Sequence, residues 1–189
     1  MNFEKSETLQ YLINAFAGES MARNKYTIYS KIAKNEECNI ISEIFAETAE
    51  NEREHAKLFY KHIPNGFYTP NGTYPYFIGN TLENLLSAAN AEQDEWENIY
   101  KHGSQTAKAE GFDEISQLFH NIGEIEKRHS HRFLILADEL KRETLYKKEE
   151  INQWICTKCG HTHIGKEAPC KCPVCAHEQG YFRLFTEKF

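Results

Sequence analysis

Hydrophobic and polar positions before residue 145 fall into four long stripes of helical period. In residues 39–62 the positions Ile41, Phe45, Thr48, Glu52, His55 and Phe59 step by four, three, four, three and four, the spacing of one helix face. That face normally meets a core, yet it carries a carboxylate and an imidazole. The other three stripes share the oddity. Residues 4–34 align Leu9, Leu12, Phe16, Glu19, Arg23 and Tyr26. Residues 81–110 align Leu85, Ala88, Glu92, Glu95, Ile99 and His102. A fourth helix, from the break at Gly111 to about residue 142, aligns Ile115, Phe119, Ile122, Glu126, His129, Phe133 and Leu136.

Between the second and third stripes lies IPNGFYTPNGTYPYFIGN, too rich in Pro, Gly and Asn to continue a helix. Its length suits a crossover connection in a four-helix bundle. The run RETLYKKEE reads as a linker, and from Trp154 onward the composition turns to Cys, Gly, Pro and aromatics. The expected organisation is a helical bundle over residues 1–145 and a small metal-stapled unit over residues 151–189.

The two halves of the bundle echo one another: Glu19 followed by E-R-E-H at 52–55 matches Glu92 followed by E-K-R-H at 126–129. The midpoint between Glu19 and Glu52 falls in NEEC at 35–38, and that between Glu92 and Glu126 falls at Ala109. In antiparallel hairpins both pairs then lie level, each about 25 Å from its turn at ~1.5 Å rise per residue. Packed as a bundle, the acidic groups converge in the core, where an uncompensated charge costs several kcal/mol or more. Glu19, Glu52, Glu92, Glu95 and Glu126 bring five negative charges, which two divalent cations nearly balance. A Glu from each of two helices with Glu-x-x-His from the other two is the dimetal pattern of carboxylate bundles. Oxygen-rich ligation with His55 and His129 suits iron or manganese better than structural zinc. Glu54 and Glu124 fall off the stripes and read as solvated. Tyr26 and Tyr100 read as packing residues within reach of a ligand for hydrogen bonding.

Composition narrows the classes. The 189 residues carry 26% charged side chains and a formal net charge of −6, which gives no basic surface for nucleic acid. MNFEKSETLQ has no basic region leading into an apolar run, and no segment approaches membrane-spanning length, so a cytoplasmic location with no membrane partner is expected. Of six cysteines, Cys38 stands alone and five crowd into residues 156–175. C-x-x-C-G at 156–160 and C-P-V-C at 172–175 form paired knuckles, the signature of a tetrahedral four-thiolate site of Cys156, Cys159, Cys172 and Cys175. Cys170 breaks the knuckle spacing and reads as a bystander; His161, His163 and His177 read as surface residues. Thiolates alone do not choose between a zinc ribbon and a one-electron iron centre, though attachment to a redox bundle favours iron.

Together, FAGESMARNKYT, AETAENEREHAKLF, LLSAANAEQDEW, EIEKRHSHRF and CTKCG…CPVCAH resemble the rubrerythrins over nearly all of the chain. The resemblance implies a mainly α fold: a ferritin-like four-helix bundle followed by a small rubredoxin-like metal-binding domain. It implies a di-iron carboxylate site with Glu52 and Glu126 bridging, Glu19 terminal on one iron, and Glu92 and His129 on the other. Glu95 and His55 would alternate as ligands of the first iron, and these two are the residues the resemblance makes catalytic. The four cysteines would hold a single iron. The implied reaction is reduction of hydrogen peroxide to water in oxidative stress defence, with electrons from an external rubredoxin or an NAD(P)H-dependent reductase. Cys38 and Cys170 are extra thiols, and Trp96 beside Glu95 is expected to narrow access.

The tail starts sixteen residues beyond Glu126, or about 24 Å along the helix axis. Unless the linker folds back, that distance and the family resemblance point to a homodimer in which each tail serves the partner's bundle. The competing readings are a ferritin-like ferroxidase, which needs neither electron inlet nor toggling ligand, and a zinc-ribbon interaction module, which leaves the buried carboxylates unexplained.

Overall fold

The computed structural model describes residues 2–186. Five α-helices are followed by a three-stranded sheet: α1 (Glu7–Asn35), α2 (Asn39–Tyr60), α3 (Thr81–Asp94), α4 (Tyr100–Glu110), α5 (Asp113–Lys141), β1 (Lys147–Cys156), β2 (Thr162–Glu167) and β3 (Phe182–Leu184). α1 with α2, and α3–α4 with α5, are the two hairpins of a four-helix bundle. The helix ends follow local chemistry. Ser6 accepts from the N–H of Leu9 to cap α1, and Asn80 and Glu83 form a reciprocal capping box on α3. Gly111 adopts φ 86° to end α4. Carboxylates also tie the hairpins at their ends, where helix N-termini favour negative charge. Glu110 accepts from the N–H groups of Glu7 and Thr8 at 3.1 and 2.9 Å, and Glu36 accepts from that of Thr81 at 2.9 Å.

The third stripe is where the structure departs from simple helical spacing. Glu95–Ile99 forms one turn of π-helix between α3 and α4. The extra residue shifts the inward face by one: Tyr100, Gly103 and Ala107 are buried, whereas Ile99 is half-buried and His102 is exposed. The expected continuation through Ile99 and His102 is therefore replaced.

Two aromatic clusters close the bundle above and below its middle. Tyr26, Phe45 and Phe133 pack with ring centroids 5.2–6.0 Å apart on one side. Tyr100, Phe59 and Phe119 pack at 5.0–5.9 Å on the other. The crossover strap, residues 63–80, lies along α1 and α3. Tyr74 donates to the carbonyl of Asn14 at 3.0 Å and Tyr29 to that of Phe77 at 2.7 Å.

The sheet order is β2-β1-β3, all antiparallel. β1 begins at Lys147, so part of the charged run expected as a linker is strand, with Lys147 opposite Glu167. Charged side chains suit it because this strand is exposed over most of its first half. A small core of Trp154, Cys156, Ala168, Cys172 and Phe182 holds the unit together.

Candidate metal centres

The four stripes meet as their spacing requires. Glu19 (α1), Glu52 and His55 (α2), Glu92 (α3), and Glu126 and His129 (α5) are buried at one level of the bundle. They make two groups of four donors, Glu19–Glu52–His55–Glu126 and Glu52–Glu92–Glu126–His129, each with donor atoms within 4.8 Å of one another. Glu52 and Glu126 belong to both. Nδ1 of His55 lies 2.8 Å from Glu52, 2.9 Å from Glu126 and 3.7 Å from Glu19. Nδ1 of His129 lies 2.7 Å from Glu126, 3.4 Å from Glu52 and 3.9 Å from Glu92. The two imidazoles face each other with centroids 6.1 Å apart.

Such a cluster is electrostatically incomplete. Burial pushes the carboxyls of Glu19 and Glu92 well above the ordinary carboxylate range. Burial opposes ionisation of Glu126 too, but the bonds from His129 and His55 hold its pKa down at about 2. The imidazole of His129, which burial alone would lower, is pushed up to about 9 by Glu126 and Glu52. One oxygen each of Glu19, Glu92 and Glu126, both oxygens of Glu52 and Nδ1 of His55 are buried without a well-aligned hydrogen-bond partner. Buried polar atoms left unpaired are rare because they forfeit their hydration. Pairs of cations would satisfy all of them at once, and carboxylates with imidazoles form a donor set suited to iron.

Two tyrosines support the cluster, and they do so across the bundle. The hydroxyl of Tyr26 on α1 donates to Glu92 on α3, and that of Tyr100 on α4 donates to Glu19 on α1. The sequence admits a tyrosine–ligand bond but does not reveal this exchange between hairpins. Tyr26 follows Glu19 by seven residues and Tyr100 follows Glu92 by eight; the π-turn absorbs the extra residue and returns Tyr100 to the inward face. That mismatch of one between the repeats is the sequence signal for the π-turn.

Glu95 is not in either four-donor group. It opens the π-turn, is half-buried, and its carboxyl is pushed up to about 8 by burial and by the charges of Glu126 and Glu52. It lines two cavities that flank the strap, of about 500 and 910 Å³, the larger also lined by Tyr100. Trp96 lines neither; its ring lies under Nζ of Lys127, 4.9 Å away, so the structure does not place it as a constriction of these cavities. Glu54 pairs with Lys57 and Arg53 at the surface, and Glu124 is exposed, as their positions off the stripes require.

In the tail, Cys156, Cys159, Cys172 and Cys175 bring their sulfurs within 4.8 Å of one another. The two knuckles are built alike. Gly160 and Ala176 take φ of 76° and 60°, and their N–H groups donate to the carbonyls of Cys156 and Cys172, both at 2.9 Å. The N–H groups of those two cysteines donate in turn to His161 and His177 at 2.9 and 2.8 Å. Burial raises the Cys172 thiol, but the N–H groups of Cys175 and Val174 bring its pKa down to about 7, toward the thiolate a metal needs. Cys170 is exposed and outside the group, and His161, His163 and His177 are outside it as well.

The tail folds back onto its own bundle, at the α1–α2 turn. A Cβ on Gly180 would fall 1.9 Å from the carbonyl oxygen of Glu37, so only glycine permits this approach. Thr157 reaches Glu43 at 3.5 Å. From Asn39, at this turn, to Glu52 is about 20 Å along α2 at ~1.5 Å per residue. No helix among the described residues is long and apolar enough to cross a membrane.

Comparison with known proteins matches both parts. Residues 10–137 fit the rubrerythrin family model, and residues 154–183 fit the model of the rubrerythrin rubredoxin-like domain. The chain is 42% identical to rubrerythrin-1 of Clostridium acetobutylicum, covering 97% of each. It is 38% identical to a rubrerythrin of Nitratidesulfovibrio vulgaris over 95% of this chain and 94% of the relative. A solved structure of nigerythrin in a fully reduced, all-ferrous state matches with TM-score 0.64 and 28% identity, over 94% of this chain and 86% of that one. The chain belongs to the rubrerythrin family, redox proteins with a di-iron carboxylate cluster in a ferritin-like bundle and a four-cysteine iron site in a rubredoxin-like tail.

Proposed function

We propose that this oxidoreductase reduces hydrogen peroxide to water in defence against oxidative stress. The observation that carries this reading is one chain holding two four-donor groups joined through Glu52 and Glu126 together with a separate four-thiolate site. A storage ferroxidase has no use for that second, one-electron centre, so the ferroxidase reading comes second.

Bound there, a reduced di-iron centre would supply two electrons for the O–O bond and Lewis acidity for its oxygens. Glu52 and Glu126 would be shared between the two metals, with Glu19 helping to hold one and Glu92 and His129 the other. His55 and Glu95 would serve in turn as ligands of the metal that Glu19 helps to hold. Tyr100 and Tyr26 orient Glu19 and Glu92, so each terminal carboxylate keeps one oxygen for the metal. The two aromatic clusters exclude water from above and below, while the cavities beside Glu95 provide the route for peroxide. Cys156, Cys159, Cys172 and Cys175 hold the single iron through which an external rubredoxin or NAD(P)H-dependent reductase delivers electrons. The domains are assigned as residues 1–145 and 151–189, with β1 extending the second back to Lys147, and the protein as a cytoplasmic homodimer with neither nucleic acid nor membrane as partner. Although the tail folds back onto its own bundle, its docking point near Asn39 is still about 20 Å along α2 from Glu52, so the tail of the second chain is assigned as each bundle's supply.

The test is the visible spectrum and iron content of protein from iron-replete cells, before and after dithionite and then peroxide. About three irons per chain follow from the two metal positions and the cysteine site. A red four-thiolate ferric centre, bleached by dithionite and quickly restored by peroxide, supports the peroxidase. A colourless protein with zinc at the cysteines would remove the electron inlet. For the dimer, turnover per chain should fall on dilution; a fully active monomer would sink it.

A further inference from the structure

The two hairpins supply the cluster with the same residue types at the same spacing, but they do not hold their imidazoles alike. Nδ1 of His129 faces Glu126 at 2.7 Å, and its opposite nitrogen, Nε2, lies 3.3 Å from Oδ1 of Asn51 on α2. His55 also turns Nδ1 to the carboxylates, yet among the described residues no protein group accepts from its Nε2, which, unlike Nδ1, is not one of the buried unpartnered atoms. The repeat explains the difference. Asn51 precedes Glu52 as Ile125 precedes Glu126, and an isoleucine has no side-chain atom that accepts a hydrogen bond.

A metal-binding imidazole must give one nitrogen's lone pair to the metal and keep its proton on the other. A partner for that second N–H fixes both tautomer and ring orientation. The amide oxygen of Asn51 is an acceptor, so it holds a proton on Nε2 of His129 and leaves Nδ1, on the side of Glu126, Glu52 and Glu92, as the nitrogen that would give up its proton to bind a metal. The helix that carries Asn51 is itself pinned to α5 one turn away: Arg132 donates to Thr48 and to Glu47, each at 2.7 Å. Asn51 is half-buried beside this link.

We propose that Asn51 is a positioning residue that locks His129 as the fixed imidazole of the pair, and that its absence from the other half leaves His55 as the one able to leave and return. The proposal rests on the ligand assignment above, and it adds to Glu95 a second residue outside both donor groups that distinguishes the two metal positions.

The experiment is an anaerobic cobalt(II) titration of the full-length apoprotein, read by visible absorption. Thiolate bands report the cysteine site separately from the weaker bands of the carboxylate cluster. Wild type should take two ions at the cluster. In Asn51→Leu one of those two should weaken by about 10–100-fold while the other holds, and Asn51→Asp, which keeps an acceptor, should restore it. If Asn51→Leu does not fold, Asn51→Ala is read in the same way. Wild-type binding of both ions by the acceptor-free variant, equal weakening of both, or failure of Asn51→Asp to restore the weakened ion would each overturn the proposal. A wild-type protein that takes no pair of cobalt ions would instead overturn the ligand assignment beneath it.

Discussion

In the first hairpin the residue one turn after Glu19 is Ala22; in the second, the residue one turn after Glu92 is Glu95. From that substitution the halves diverge. α1 runs unbroken to Tyr26, whereas the second hairpin inserts a π-turn at Glu95–Ile99 before its own tyrosine. π-turns inside helices are uncommon and concentrate at functional sites because they cost regular hydrogen bonding. Here the turn sets a carboxylate at the mouth of the cavities while returning Tyr100 to Glu19. Glu52, Glu126 and the crossed tyrosines are common to both halves and build a place for two metals. The departures from the repeat, Glu95 and Asn51, are the residues proposed to make the two positions unequal. A symmetric cluster would bind a pair of ions; an unsymmetric one can let one ligand exchange while the rest stay put.

The strongest test of the shared part is to remove each carboxylate common to both donor groups. Glu52→Ala and Glu126→Ala should each abolish the paired site and lower peroxide reduction by on the order of 10³-fold, since metal Lewis acidity is worth several kcal/mol. Metal analysis and stopped-flow oxidation of reduced protein would read this. A large inequality between the two would break the symmetry claimed for the core. Next in size, Glu95→Ala gives the second hairpin the residue of the first. Cluster metal content should survive, and peroxide turnover should fall by roughly 10–100-fold. Unchanged turnover would remove Glu95 from the mechanism. Smaller again, Tyr26→Phe and Tyr100→Phe each delete one donor to a buried carboxylate. Each should lower the stability of the metal-loaded protein by about 1–3 kcal/mol, read as a shift of the urea midpoint at constant slope. The two losses should match, because the bonds are related by the repeat.

Much of this was legible in the chain because helical period is a strong signal when it runs for several turns. Every residue of the second and fourth stripes, polar ones included, is buried as its spacing requires. The four cysteines meet because each knuckle is local chemistry. What was not legible depended on either a local break in period or a partner far away in sequence. The stripe through Ile99 and His102 continued the α-helical period, and the π-turn that shifts it to Tyr100 and Gly103 leaves only a one-residue mismatch between repeats. Tyr26 with Glu92 and Tyr100 with Glu19 are 66 and 81 residues apart, so no window on one helix shows the exchange. Lys147 and its neighbours looked like linker because exposed strands on a small sheet tolerate charge, and only pairing with β2 identifies them.

The smallest expected effect lies at a repeat-related pair that faces away from the cluster. Glu50 and Glu124 each sit two residues before a proposed bridging glutamate, and both are exposed. Glu50 makes an ion pair with Arg53 at 2.8 Å, while Glu124 lines a shallow groove along the outer face of α5 with Arg128, His131 and Ile135. Exposed ion pairs contribute little because water already screens the charges, so Glu50→Gln should move stability by less than about 0.5 kcal/mol. Glu124→Gln should be as mild, and neither should alter metal uptake or peroxide turnover. A fall in turnover confined to Glu124→Gln would mean that the outer face of α5 takes part in the reaction cycle. The two halves would then differ on their outer surface as well as at the metals, and the asymmetry could not be assigned to Glu95 and Asn51 alone.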